Sequence, residues 1–267
     1  MKKIDLHLHV RSVFQNEPGK PMISDASGML AHMAELHIEK GVLMSGGETG
    51  SPFGNNEEIM TIVQKYPSKF SWMCNVDEGD PRNLYELLSY YKERGAIGIG
   101  ELMINKRLDH PFLQALFTAA EKLNLPITIH MSPKEGYSYG VVDDPGLPLL
   151  ENVLKTYPSL KILGHSPIFW NELHGDGRLL ELFETYPNLY GDLSANSGGN
   201  AIMKNESFGL SFLERFSDRL FFATDMLTAD TIYPLGDWLD KQASLGKLSR
   251  TAYKKICWEN AKNIFGL

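Results

Sequence analysis

"KKIDLHLHVR", residues 2–11, governs how the rest of the chain is read. Its apolar and polar residues alternate, as on a half-buried strand. Ile4, Leu6, Leu8 and Val10 fall on one side, and Asp5, His7, His9 and Arg11 on the other. Side-chain direction on a strand repeats every second residue, so His7 and His9 point the same way. An ordinary alternating strand explains the pattern as well as a two-toothed metal ligand does. The remaining 256 or so residues decide between the two.

Seven more strand-like runs occur along the chain: 41–46, 70–77, 96–102, 126–132, 160–166, 189–195 and 220–225. Amphipathic, helix-length stretches separate them, among them 28–40, 56–66, 81–94, 110–123, 147–157, 171–186, 207–217 and 248–264. In "KYPSKF" (65–70), "TYPSLK" (156–161) and "TYPNLY" (185–190), a helical pattern stops at Tyr-Pro and a strand begins soon after. Proline just past a helix is a stop signal. Regular β-then-α alternation implies parallel strands with right-handed crossovers. Eight such units predict a (β/α)8 TIM barrel, in one domain spanning 1–267. A doubly wound open sheet is the competing fold, but no Gly-rich phosphate fingerprint supports it.

Composition narrows the function. The chain has 267 residues, 43% hydrophobic and 22% charged, with a formal net charge of −7. That is ordinary for a globular enzyme. No cluster of five or more basic residues occurs, which disfavours binding along a nucleic-acid backbone. No apolar run is long enough for a membrane span, and "IDLHLHV" is too polar for a signal peptide. Cys74 and Cys257 match no zinc spacing and read as core residues of a reduced, cytoplasmic protein. A homo-oligomer is left open.

The polar residues at the strand ends carry the chemistry. The first strand ends in His7 and His9, the fourth in Glu101, the fifth in His130 and the sixth in His165. Asp192 and Asp225 end the seventh and eighth. In a barrel these ends converge on one mouth, the face that bears the active site. Each residue alone reads as a hydrogen-bonded strand end. Together, imidazoles and carboxylates are the donors a divalent ion such as Zn²⁺ requires. The remaining histidines do not fit. His32 and His37 lie five apart on one predicted helix, His110 reads as a turn or cap before Pro111, and His174 comes after the sixth strand.

"DLHLH", "GIGEL", "ITIH", "ILGHS" and "FFATD", in that order, resemble the amidohydrolase superfamily of metal-dependent hydrolases. "LYGDLSA" and then "LFFATD" are similar to its amidohydrolase-2 branch. The resemblance implies one or two divalent ions, zinc first, with manganese or iron as alternatives. His7, His9 and Asp225 would hold the more buried ion, His130 and His165 the second, with Glu101 bridging. Single-metal members of the family instead free the sixth-strand histidine, here His165, for proton transfer. The polymerase/histidinol-phosphatase family also opens on His-x-His, but Met226 and Leu227 break its usual closing Asp-x-His.

The implied function is hydrolysis of a small molecule by a metal-activated water, with Asp225 as general base and acid. Asp192 would orient a histidine from behind. The rivals are a single-metal decarboxylase or hydratase and a TatD-like deoxyribonuclease, and beyond enzymes a non-catalytic metal- or ligand-binding barrel. Two more expectations concern substrate. Arg11 continues "HLHVR" as in dihydroorotase-like enzymes and would anchor an anionic substrate through its paired N–H donors. The segment 133–146, with Tyr137 and Tyr139, would cover the mouth as a lid.

Overall fold

The computed structural model describes residues 2–50, 52–174 and 177–267. The parallel strands run β1 (Lys3–Leu8), β2 (Ile38–Met44), β3 (Phe70–Cys74), β4 (Ala96–Leu102) and β5 (Ile127–Ser132). A two-residue β6 (Val141–Val142) pairs with the end of β5. Then come β7 (Ile162–His165), β8 (Leu189–Asp192) and β9 (Leu220–Phe221). Apart from β6, neighbours in space are neighbours in sequence. The barrel closes where the Leu6 amide donates to the Phe222 carbonyl at 3.1 Å and the Asp225 amide to the His7 carbonyl at 2.8 Å. The fold is a TIM barrel.

The Tyr-Pro joints behave as the sequence predicts. The helices 56–65, 148–156 and 178–185 end with Tyr66, Tyr157 and Tyr186 as their C-terminal caps. Elsewhere the boundaries differ. The expected helix 28–40 ends at Glu35, because His37 takes a left-handed conformation (φ 57°) and β2 begins at Ile38. The expected loop 193–207 contains the helix Ala195–Met203. The stretch 235–244, for which the sequence raises no expectation, is a helix.

β1 is shorter and less regular than simple alternation implies. Its pairing with β2 shifts between Asp5 and Leu8. Ile4 and Leu6 pack with Val42, Met44 and Met73, whereas Leu8 and Val10 join the larger core beneath the helices. The strand ends at Leu8, so Arg11 no longer inherits its facing from the histidines.

Candidate metal centre

The barrel brings the strand-end residues into one buried cluster. His7 Nε2 and His9 Nε2 are 3.2 Å apart. Asp225 Oδ1 lies 3.4 Å from the first and 3.3 Å from the second. Glu101 divides its oxygens: Oε2 is 3.6 Å from both of those nitrogens. Its Oε1 is 3.3 Å from His165 Nε2 and accepts a hydrogen bond from His130 Nδ1. His7, His9, Glu101 and His165 are buried, while the side chains of Asp225 and His130 keep 23% and 15% of their exposure.

These spacings suit a metal ion. Ligand bonds of about 2.0–2.2 Å in tetrahedral array set donor atoms roughly 3.3–3.6 Å apart. Among the described residues, two sets of three donors lie close enough together to share an ion: His7, His9 and Asp225, and His7, Glu101 and His165. His130 is in neither group and reaches the cluster through Glu101.

Two strand-end turns aim the ligands. Asp225 has φ 58° and Ser166, just after His165, has φ 93°. Non-glycine residues in this region cost about 1–3 kcal/mol and concentrate at functional sites. Behind His7, Asp192 accepts from Nδ1 at 2.7 Å, and neither side chain is exposed. Donation from Nδ1 leaves the Nε2 lone pair facing the cluster. Asp192 Oδ1 also accepts from the Ser194 amide at 2.8 Å, and Trp170 Nε1 donates to its carbonyl. The Ser194 hydroxyl lies 2.7 Å from His165 Nδ1. Ser194 stands at the N-terminal cap of the helix Ala195–Met203, yet its side chain does not cap it. That hydroxyl serves His165 instead.

The electrostatics are those of a site built for cations. Burial opposes charge on His7, but Asp225 and Asp192 outweigh it and hold its pKa well above 6.5. His9 is likewise raised: burial is overcome by hydrogen bonds to Asp225 and Glu101. Burial works against the Glu101 anion too, but His130, His7 and His9 together hold its pKa well below 4.5. At His165 burial prevails and lowers the pKa. Asp192 is lowered despite its burial, chiefly by His7. Buried carboxylates around the histidine rings favour positive charge in the cluster. A divalent ion would supply it.

Beside the cluster opens a cavity of about 660 Å³. Phe53 lines it and stacks on the His9 ring, centroids 4.2 Å apart at 24°. Tyr139 lines it from the other side, its ring 4.6 Å from that of His130. Another cavity, of about 680 Å³, lies against the helices 84–93 and 111–123; unlike the first, it is lined by no residue that stacks on a cluster histidine.

Several expectations need correction. Arg11 does not stand beside the histidines. Its Nε donates to Glu58 at 3.0 Å and its Nη1 to Gln15 and to the Pro52 carbonyl, behind the cavity wall. The physical reason is the early end of β1. Both tyrosines are exposed, but Tyr139 lines the cavity against His130 and Tyr137 does not. The segment 133–146 is tied to the loop after β4, through Gly140 to the Met103 carbonyl and Val142 to the Lys106 carbonyl. Its Ser138 and Tyr139 form part of the cavity wall. His110 caps its helix, accepting from the Phe112 amide, and His174 donates to the Ala201 carbonyl. Phe53 and Ser194 join the site without a sequence motif to announce them. Only a serine two residues after Asp192 hints at the second.

The amidohydrolase family profile matches residues 4–267. The chain belongs to the amidohydrolase family. It is thus an enzyme of that family, and the solved structures it resembles include decarboxylases, one with bound manganese, and a probable hydrolase. No curated protein sequence matches it. Among solved structures, it resembles an uncharacterised TIM-barrel protein from Bordetella bronchiseptica (15% identity, TM-score 0.73, covering 100% of this chain and 99% of that one). It also resembles a dihydroxybenzoic acid decarboxylase from a Polaromonas species, solved with manganese and 2-nitroresorcinol (18%, 0.69, 100% and 97%). A third is a probable 2-pyrone-4,6-dicarboxylic acid hydrolase from Acinetobacter baumannii, with citric acid bound (16%, 0.65, 100% and 100%). At these identities the likeness is one of fold.

Proposed function

We propose that this amidohydrolase family member is a small-molecule hydrolase working with two divalent ions, zinc first, on a single domain spanning 1–267. The observation that carries the reading is the way Glu101 faces two pairs of histidines, one oxygen toward His7 and His9 and the other toward His130 and His165. His7, His9 and Asp225 would hold one ion, and His130 and His165 the other, with Glu101 between them. When bound, the ions would supply Lewis-acid polarisation of the scissile group and a nucleophile at neutral pH.

The protein's own contributions come from position. Asp225 is the partly exposed carboxylate of the cluster, so it can take a proton from the nucleophile and return it to the leaving group. Asp192 and Ser194 fix the rings of His7 and His165 from behind. The cavity beyond Phe53 and Tyr139 would receive the substrate. Cys74 and Cys257 are free and buried, in keeping with a cytoplasmic setting.

A single-metal decarboxylase is the second reading. His7, His9 and Asp225 already form a complete donor group without His165. The deoxyribonuclease reading gains nothing from the cavity, among whose described lining residues there is no lysine or arginine. The deciding experiment screens small esters, amides, lactones and hydroxybenzoates with the metal-reconstituted enzyme. Cleavage with uptake of water, reduced about 10²- to 10⁴-fold in Asp225→Asn when compared at matched ion content, supports the hydrolase. Release of CO₂ with no hydrolytic product refutes it.

A further inference from the structure

Resting on the proposed metal centre, we propose a substrate class: a molecule with a flat apolar body, whose end remote from the ions carries no negative charge. The lining of the cavity carries this inference. Phe53 and Tyr139 both line it, and each lies against a histidine of the cluster. Two rings facing a cavity this size suit a ring or other planar group, which stacks on aromatic faces. Val76, Met103, Ile104 and Leu227 add apolar surface.

The polar groups of the lining are neutral or acidic. Asn75 is consumed by the protein, its amide donating to the carbonyls of Ser45 and Glu101. Asn105 donates to the Gly140 and Lys134 carbonyls. Asp77 and Glu78 are the charged residues of the lining. Asp77 accepts from the Thr49 amide. Glu78 has Lys106 at 3.5 Å, so its charge is partly balanced from outside the lining. Arg11, which could have met a second anion, is paired with Glu58 behind Pro52. The charges of the lining are therefore negative, and the positive charge beside it would come from the bound ions. A carboxylate or carbonyl next to the ions would be welcome. A second anion held elsewhere in the cavity would lose its hydration, find no cationic partner in the described lining, and meet Asp77 and Glu78. This sets the chain apart from an enzyme built for dicarboxylates.

Matched hydroxamates test the inference, because they share one metal-binding head and differ only in the tail. Benzohydroxamate, 4-(aminomethyl)benzohydroxamate and 4-carboxybenzohydroxamate are titrated calorimetrically into the metal-reconstituted full chain. The two tails without negative charge should bind at least tenfold tighter than the carboxylate. The gap should narrow to below threefold in Asp77→Asn/Glu78→Gln. Because Asp77 supports the Thr49 loop, Glu78→Gln alone is measured as well, and should narrow the gap in part. Equal or tighter binding of the carboxylate tail would overturn the proposal. So would a gap unchanged in both variants, or a failure of all three compounds to bind the metal-loaded protein. Ion content is measured separately. One ion per chain would refute the two-ion reading yet still anchor the hydroxamates, so the two claims fail independently.

Discussion

Replacing Asp192 by asparagine keeps the side-chain volume and changes one hydrogen bond. Asp192 Oδ2 accepts from His7 Nδ1 at 2.7 Å, and both groups are wholly buried. A charge-assisted bond of this kind contributes about 1.5–3 kcal/mol. At about 1.4 kcal/mol per tenfold, its loss converts to roughly 10- to 150-fold in ion affinity. The tautomer adds to this. The Asn oxygen can keep the Ser194 amide, which now bonds to Oδ1 at 2.8 Å. Its NH₂ then faces His7 Nδ1 and asks that nitrogen to accept. The imidazole proton would move to Nε2, the atom that faces His9 and Asp225. Asp192→Asn should therefore bind Zn²⁺ at least tenfold more weakly in competition with a chromophoric chelator at pH 7.5. Thermal unfolding of the metal-free proteins checks that the barrel is intact. An affinity within twofold of wild type, in a folded variant, would refute the claim that Asp192 orients a ligand.

Three more expectations rest on the same geometry. Ser194→Ala removes the 2.7 Å contact to His165 but no helix cap, so the variant should fold with a modestly lower melting temperature while one ion binds about fivefold more weakly, the equivalent of ~1 kcal/mol. Arg11→Met should leave benzohydroxamate affinity within twofold and cost about 1 kcal/mol of stability by denaturant unfolding, because Arg11 serves Glu58 rather than the substrate. Burial pushes the thiols of Cys74 and Cys257 up to about 12, so at pH 8 both stay protonated. Iodoacetamide should leave the native protein unmodified by mass spectrometry and alkylate both after unfolding; rapid native modification would contradict their burial.

The parts legible in the sequence are those that local chemistry decides. His7 and His9 announce themselves because strand periodicity is two, and the Tyr-Pro joints because proline cannot continue a helix. Glu101, His130, His165, Asp192 and Asp225 are legible because a parallel barrel gathers strand ends at one mouth, whatever the helices do. Arg11 misleads because its expected direction depends on a strand that stops at Leu8. Its partner Glu58 lies 47 residues away on another unit, and no local pattern links the two. Phe53 and Ser194 are invisible for the same reason: loops and helix starts meet the centre only through tertiary packing. The shortened helix before β2 turns on His37, whose left-handed conformation has no reliable mark in sequence.

Counting ions tests the central claim most directly. Metal-free protein reconstituted with Zn²⁺ or Mn²⁺ and freed of excess should contain two ions per chain by elemental analysis. Glu101→Gln should contain one, because Glu101 stands between His7 and His9 on one side and His130 and His165 on the other. One ion in the wild type, unchanged by Glu101→Gln, would contradict the two-ion centre and favour the single-metal decarboxylase.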